Sequence, residues 1–161
     1  MVARKLCAEL ARANYSKERL DITAPHPISF SGRIRQVTMP FDLLIVDDSS
    51  AIRKILQRVL HTAEIPLGNV YEAADGIEAL AILNANKVSL ILSDINMPNM
   101  DGIQLLGQIR ANDAWKNVPV IMVTTEGSQA RVMEAAQLGA TGYVRKPFTS
   151  DQIKTALAGL A

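Results

Sequence analysis

From residue 41 onward, short apolar runs alternate with stretches in which apolar side chains return every three or four positions. The first pattern fits buried strands and the second amphipathic helices. Strands are predicted over 43–47, 69–73, 89–93, 119–123 and 141–144, and helices over 49–62, 76–86, 101–112, 128–138 and 149–159. The first helix shows the pattern best: Ile52, Ile55, Leu56, Val59 and Leu60 share one face, with Arg53, Lys54 and Arg58 off it. Gly139, just past the fourth helix, sits where a C-terminal capping glycine belongs. Five strand–helix units joined by right-handed crossovers give an α/β fold, a five-stranded parallel sheet doubly wound with helices on both faces.

The apolar runs end in polar residues of a particular kind. Leu43-Leu44-Ile45-Val46 runs into Asp47-Asp48, Leu90-Ile91-Leu92-Ser93 into Asp94, Val120-Ile121-Met122-Val123 into Thr124, and Tyr143-Val144-Arg145 into Lys146-Pro147. Ligands of open parallel sheets bind outside the carboxyl ends of the strands. That edge would therefore gather three carboxylates, a hydroxyl and an ammonium. Crowded carboxylates repel one another, and a hard divalent cation such as Mg²⁺ removes the conflict while leaving room for phosphate oxygens. Asp47, Asp48 and Asp94 have no Cys or His near them in sequence, which disfavours softer metals. Lys146 and Thr124 supply donors for phosphoryl oxygens. Asp94, on the central strand between the acidic pair and the Thr/Lys side, is the candidate nucleophile for an acyl phosphate.

Taken singly these residues are weaker signals. Asp47-Asp48 reads equally well as the acidic start of a helix. Thr124 alone is a strand-end hydroxyl and Tyr143 alone a half-buried packing aromatic. Asp101 suits the N-cap of the third helix, and Trp115 a cover over that helix's end. The set carries the argument.

Composition adds bounds. The 161 residues suit one domain, and 48% hydrophobic with 20% charged residues is ordinary for a soluble protein. A net charge of +1 gives no reason to expect nucleic-acid binding, and no apolar stretch has membrane-spanning length. The lone Cys7 excludes an internal disulfide and a cysteine-built zinc site, which points to a reducing, cytoplasmic setting. Residues 1–38 carry seven Lys/Arg against three Asp/Glu, while 39–161 carry ten against thirteen. The basic segment could form a short helix over 4–20 followed by a Pro-rich linker. Residues 1–40 are read as an N-terminal extension, disordered or upstream of a natural start at Met39, and 41–161 as the domain.

Four motifs then carry a family resemblance. Leu44-Ile45-Val46-Asp47-Asp48-Ser49, Ser93-Asp94-Ile95-Asn96-Met97-Pro98-Asn99-Met100-Asp101-Gly102, Val123-Thr124-Thr125-Glu126 and Gly139-Ala140-Thr141-Gly142-Tyr143-Val144-Arg145-Lys146-Pro147-Phe148 appear in order. From Phe41 on, the chain resembles the receiver domain of two-component response regulators, most closely its single-domain chemotaxis members. The resemblance implies a flavodoxin-like (βα)5 sandwich. It implies Asp94 as phosphoacceptor from a histidine kinase or phosphotransfer protein, with Mg²⁺ held by Asp48, Asp94 and the Asn96 carbonyl, and by Asp47 through water. Lys146 would contact the phosphoryl group and precede a cis bond to Pro147. Thr124 and Tyr143 match a switch pair acting on the face of the fourth helix, fifth strand and fifth helix, where Arg145 also lies. Asn96 and Glu126 would speed self-dephosphorylation.

The expected function is a phosphorylation-activated switch, a monomer that catalyses only its own modification and signals through a downstream protein. An aspartyl-phosphate phosphohydrolase is a competing reading, disfavoured because its second aspartate would fall at Asn96. A receiver-like scaffold that takes no phosphate is the other, disfavoured because no site residue is missing.

Overall fold

The structure is a computed structural model and describes residues 40–125 and 129–160. The extension with Cys7 and its expected helix, and the candidate Glu126, lie outside those residues. In chain order the elements are β1 (Phe41–Val46), α1 (Ser50–Thr62), β2 (Leu67–Ala73), α2 (Gly76–Ala85), β3 (Leu90–Asp94), α3 (Gly102–Ala111), β4 (Val120–Thr125), α4 (Gln129–Gln137), β5 (Gly142–Lys146) and α5 (Ser150–Ala158). All strand pairs are parallel, in the order β2-β1-β3-β4-β5. This is the flavodoxin-like (βα)5 fold.

Side-chain alternation along the strands divides the core into two layers. Leu44, Val46, Ile91, Val120 and Met122 face α2, α3 and α4, while Leu43, Ile45, Leu92, Ile121 and Val123 face α1 and α5. β3 lies between β1 and β4, and all five of its residues are buried. That explains its continuous apolar run, since a strand covered on both faces has no polar side. β2 is an edge strand and exposes Gly68, Asn69 and Val70.

The starts of α1, α3 and α5 shift by one residue from the sequence reading because the first residue assigned to each was its cap, whereas α2 starts at Gly76 as expected. Ser49 accepts from the Ile52 amide, and Asp101 and Thr149 close reciprocal capping boxes with Gln104 and Gln152. Such caps are typically worth about 1 kcal/mol each. Gly139 follows α4 at φ 92°, a left-handed conformation that suits glycine. Trp115 packs against the core after α3. One expectation fails. Ile55 was placed on the buried face of α1 but is 44% exposed, because the apolar stripe is centred on Leu56 and Leu60, one helical step of 100° away.

Gly102 joins the fold to the site. Its amide bonds to the Ile95 carbonyl at 2.8 Å, and a Cβ there would collide with the Asp94 carbonyl and the Ile95 Cα. Gly102→Ala is expected to cost about 1–3 kcal/mol by overpacking, read as a lower urea midpoint. An unchanged midpoint would mean that β3 and α3 can separate freely.

Candidate functional site

The strand order reverses direction between β1 and β3, so the loops leaving these two strands run to opposite faces and open a crevice at the carboxyl edge. Asp47 and Asp48 follow β1, and Asp94 ends β3. One oxygen from each of the three carboxylates lies within 4.8 Å of the other two. Lys146, at the end of β5, reaches across to Asp47 Oδ2 at 2.7 Å and Asp94 Oδ2 at 3.1 Å. Asp47 is 1% exposed and Asp94 7%, whereas Asp48 is open to solvent.

Asp47 is held at every polar atom. Its amide donates to the Ala73 carbonyl, its Oδ1 accepts from the Ser49 amide, its Oδ2 meets Lys146, and its carbonyl accepts from Arg53 Nη1 at 2.6 Å. Asp94 Oδ1 accepts from the Ile95 amide at 2.7 Å. Burial, the strongest influence on Asp94, lifts its carboxyl above the ordinary value, and the Asp47 charge adds to this against the opposing ammonium of Lys146. For Lys146, burial works downward. Its hydrogen bond to Asp47 and the charge of Asp94 outweigh that and hold the ammonium above its ordinary value. Three carboxylates and one ammonium leave the cluster with more negative charge than Lys146 offsets. All three clustered acids offer oxygen, so the donor set fits a hard divalent cation.

The remaining candidates fall around this cluster. Thr124, at the end of β4, is 3% exposed, and its hydroxyl donates to the Thr125 carbonyl at 3.2 Å. Tyr143 on β5 turns outward and is 64% exposed, beside an apolar cavity of about 140 Å³ lined by Met122, Val132, Ala135 and Ala140. Asn96 is exposed in the loop after β3, Arg145 is exposed on β5, and the Lys146–Pro147 bond is cis. Among the described residues, no helix is long and apolar enough to cross a membrane.

Sequence matching agrees with this geometry: residues 43–158 match the response regulator receiver domain family. The chain belongs to that family. The receiver domain is 42% identical over 115 residues to chemotaxis protein CheY-3 of Vibrio cholerae, covering 71% of this chain and 87% of the relative. It is 43% identical over 112 residues to chemotaxis protein CheY of Pseudomonas aeruginosa, covering 70% and 89%. Among solved structures, the chemotaxis response regulator CheY4 of Vibrio cholerae superposes with a TM-score of 0.67 at 35% identity, over 76% of this chain and 99% of that one. Receiver domains of this type are phosphorylation-activated signalling switches rather than enzymes in the ordinary sense.

Three polar clusters, two beside the site and one at the opposite edge of the sheet, were missed in the sequence reading. Arg53 bonds to Glu72 at 2.7 Å, and Gln57 bonds to the other oxygen of that carboxylate at 2.6 Å. Arg131 on α4 meets Asp101 at 2.6 Å. Arg110 binds the carbonyls of Lys116, Val118 and Gly139. Only Arg53 and Gln57, four apart on α1, carry even a local spacing signal.

Proposed function

We propose that Asp94 accepts a phosphoryl group from the phosphohistidine of a histidine kinase or phosphotransfer protein. The observation that carries this reading is the Lys146 ammonium touching two buried carboxylates from β1 and β3 at the switch point of the sheet. A carboxylate oxygen of Asp94 forms a bond to phosphorus as the phosphorus–nitrogen bond breaks, and the departing imidazole keeps the electron pair. Lys146 contacts a phosphoryl oxygen, and the Thr124 hydroxyl turns toward another. Mg²⁺, when bound, offsets the charge that the carboxylates would otherwise set against the incoming phosphoryl group. Asp48, Asp94 and the Asn96 carbonyl would hold it, with Asp47 acting through water.

Reorientation of Thr124 vacates space beside β4, and the outward Tyr143 ring turns in. That repacks the face formed by α4, β5 and α5, which the downstream protein reads. The switch is a two-state element biased by one local charge. Hydrolysis resets it, as water attacks phosphorus and the Asp94 oxygen leaves. The small polar Asn96 and the acidic Glu126, in the roles that the family resemblance implies, make the phosphorylated state short-lived.

Incubation of the full chain with acetyl phosphate tests the chemistry. One phosphoryl group per chain is expected by intact mass with Mg²⁺ present and none in EDTA. Metal-independent labelling, or no labelling of folded protein, would overturn the reading. A phosphorylated lifetime of many hours would overturn the roles of Asn96 and Glu126.

A further inference from the structure

The three clustered acids are not held alike. Asp47 and Asp94 have side-chain partners, whereas no described residue bonds the exposed Asp48 carboxylate. Its aim therefore depends on its backbone, and above all on the peptide that joins it to Asp47. One face of that peptide is the Asp47 carbonyl, which accepts from Arg53 Nη1 at 2.6 Å. The guanidinium is fixed in turn, since its Nε donates to Glu72 Oε2 at 2.7 Å while Gln57 occupies Glu72 Oε1. The Arg53 hydrogen bond holds the Glu72 carboxyl below its ordinary value, so the anchor stays charged. A planar fork that spends two donors on two separate acceptors locks its own orientation, which a lysine ammonium does poorly.

We propose that Arg53 is a positioning residue for cation binding: it holds the Asp47–Asp48 peptide from α1, against the Glu72 anchor on β2, so that Asp48 points into the acidic cluster. The inference rests on the proposed cation site and adds a part to it. Partners that orient ligating groups commonly govern metal affinity by 10–100-fold.

Two mechanisms for Arg53 predict opposite signs, which makes the test decisive. If Arg53 orients Asp48, losing it weakens cation binding. If it acted only as a nearby positive charge, its loss would relieve repulsion and tighten binding. Mn²⁺ alone serves as the probe, its free fraction followed by electron paramagnetic resonance, with melting temperature recorded in parallel. Arg53→Gln is expected to weaken Mn²⁺ binding about tenfold or more. Arg53→Lys should recover part of that, because one donor reaches the carbonyl without the second anchor. Glu72→Gln should weaken binding less than Arg53→Gln.

Tighter or unchanged Mn²⁺ binding in folded Arg53→Gln would overturn the role of Arg53 while leaving the cation site intact. Should Arg53→Gln not fold, Arg53→Lys decides alone: wild-type affinity overturns the proposal and a measurable loss supports it. Wild-type protein that binds no Mn²⁺ would overturn this inference together with the cation site, which separates the two failures.

Discussion

Asp94→Asn is expected to melt at a higher temperature than wild type in metal-free buffer at neutral pH, and to take up no phosphoryl group. The loss of labelling follows because no other described carboxylate combines burial, the Lys146 contact and a place at the end of β3. The gain in stability follows from burial. The Asp94 carboxyl is held above its ordinary value in the fold, so the native state binds its proton more tightly than the unfolded chain does. Stability from this group is present at acid pH and is lost as pH rises from the ordinary carboxylate value through the raised one. The amide has no charge to desolvate and escapes that loss. The difference in melting temperature should therefore be largest at neutral pH and vanish below about pH 4. Added Mg²⁺ should narrow it by favouring the wild-type ligand set. A variant less stable than wild type at neutral pH without metal would show that the Lys146 pair outweighs the burial cost.

Lys146→Met is expected to do the reverse. It removes the cation that meets both Asp47 and Asp94, and leaves two buried charges without it. Breaking such a pair from one side costs about 3 kcal/mol, near the low end for buried pairs because Lys146 keeps some solvent contact. For a domain of this size that lowers the melting temperature by about 10 °C. The Lys146 ammonium is raised in the fold, so its stabilisation is fully present below the unfolded lysine value and lost as pH rises through the raised one. Wild type and variant should accordingly converge at strongly alkaline pH, and again in acid as the carboxylates protonate. Mg²⁺ should restore much of the lost stability, since it fills the same electrostatic need. Labelling from acetyl phosphate should remain at least about 100-fold slower, as when one charge-stabilising donor is removed from an active site. Normal labelling would assign the ammonium a structural role only.

The sheet and the acidic site could be read from the chain because both rest on local patterns. An apolar run marks a covered strand, and the residue that ends it marks the carboxyl edge. Asp47, Asp48, Asp94, Thr124 and Lys146 were found in that way, and the structure places all five at that edge. Arg53–Glu72 and Arg131–Asp101 could not be found so. Their partners lie 19 and 30 residues apart, and each pairing exists only once the crossovers have brought α1 against β2 and α4 beside the start of α3. Ile55 was misplaced for a related reason. A stripe of apolar residues wider than the contact it serves does not show which flank the neighbouring helix leaves bare. β2 begins two residues before its predicted start because Leu67 pairs with Phe41 and packs against the core, ahead of the exposed Gly68 and Asn69 that interrupt the apolar pattern.

The Arg110 cluster sits at the opposite edge of the sheet from the chemistry. One guanidinium gathers the carbonyls of Lys116 and Val118, ahead of β4, and of Gly139, just beyond α4. The tail of α4 is thereby pinned to the base of the molecule, while its head lies toward the site. A rod fastened at one end moves as a lever. If the proposed switch moves α4 from the Thr124 side, Gly139 would act as its fulcrum, and the displacement would be greatest at the head of the helix and die away toward its tail.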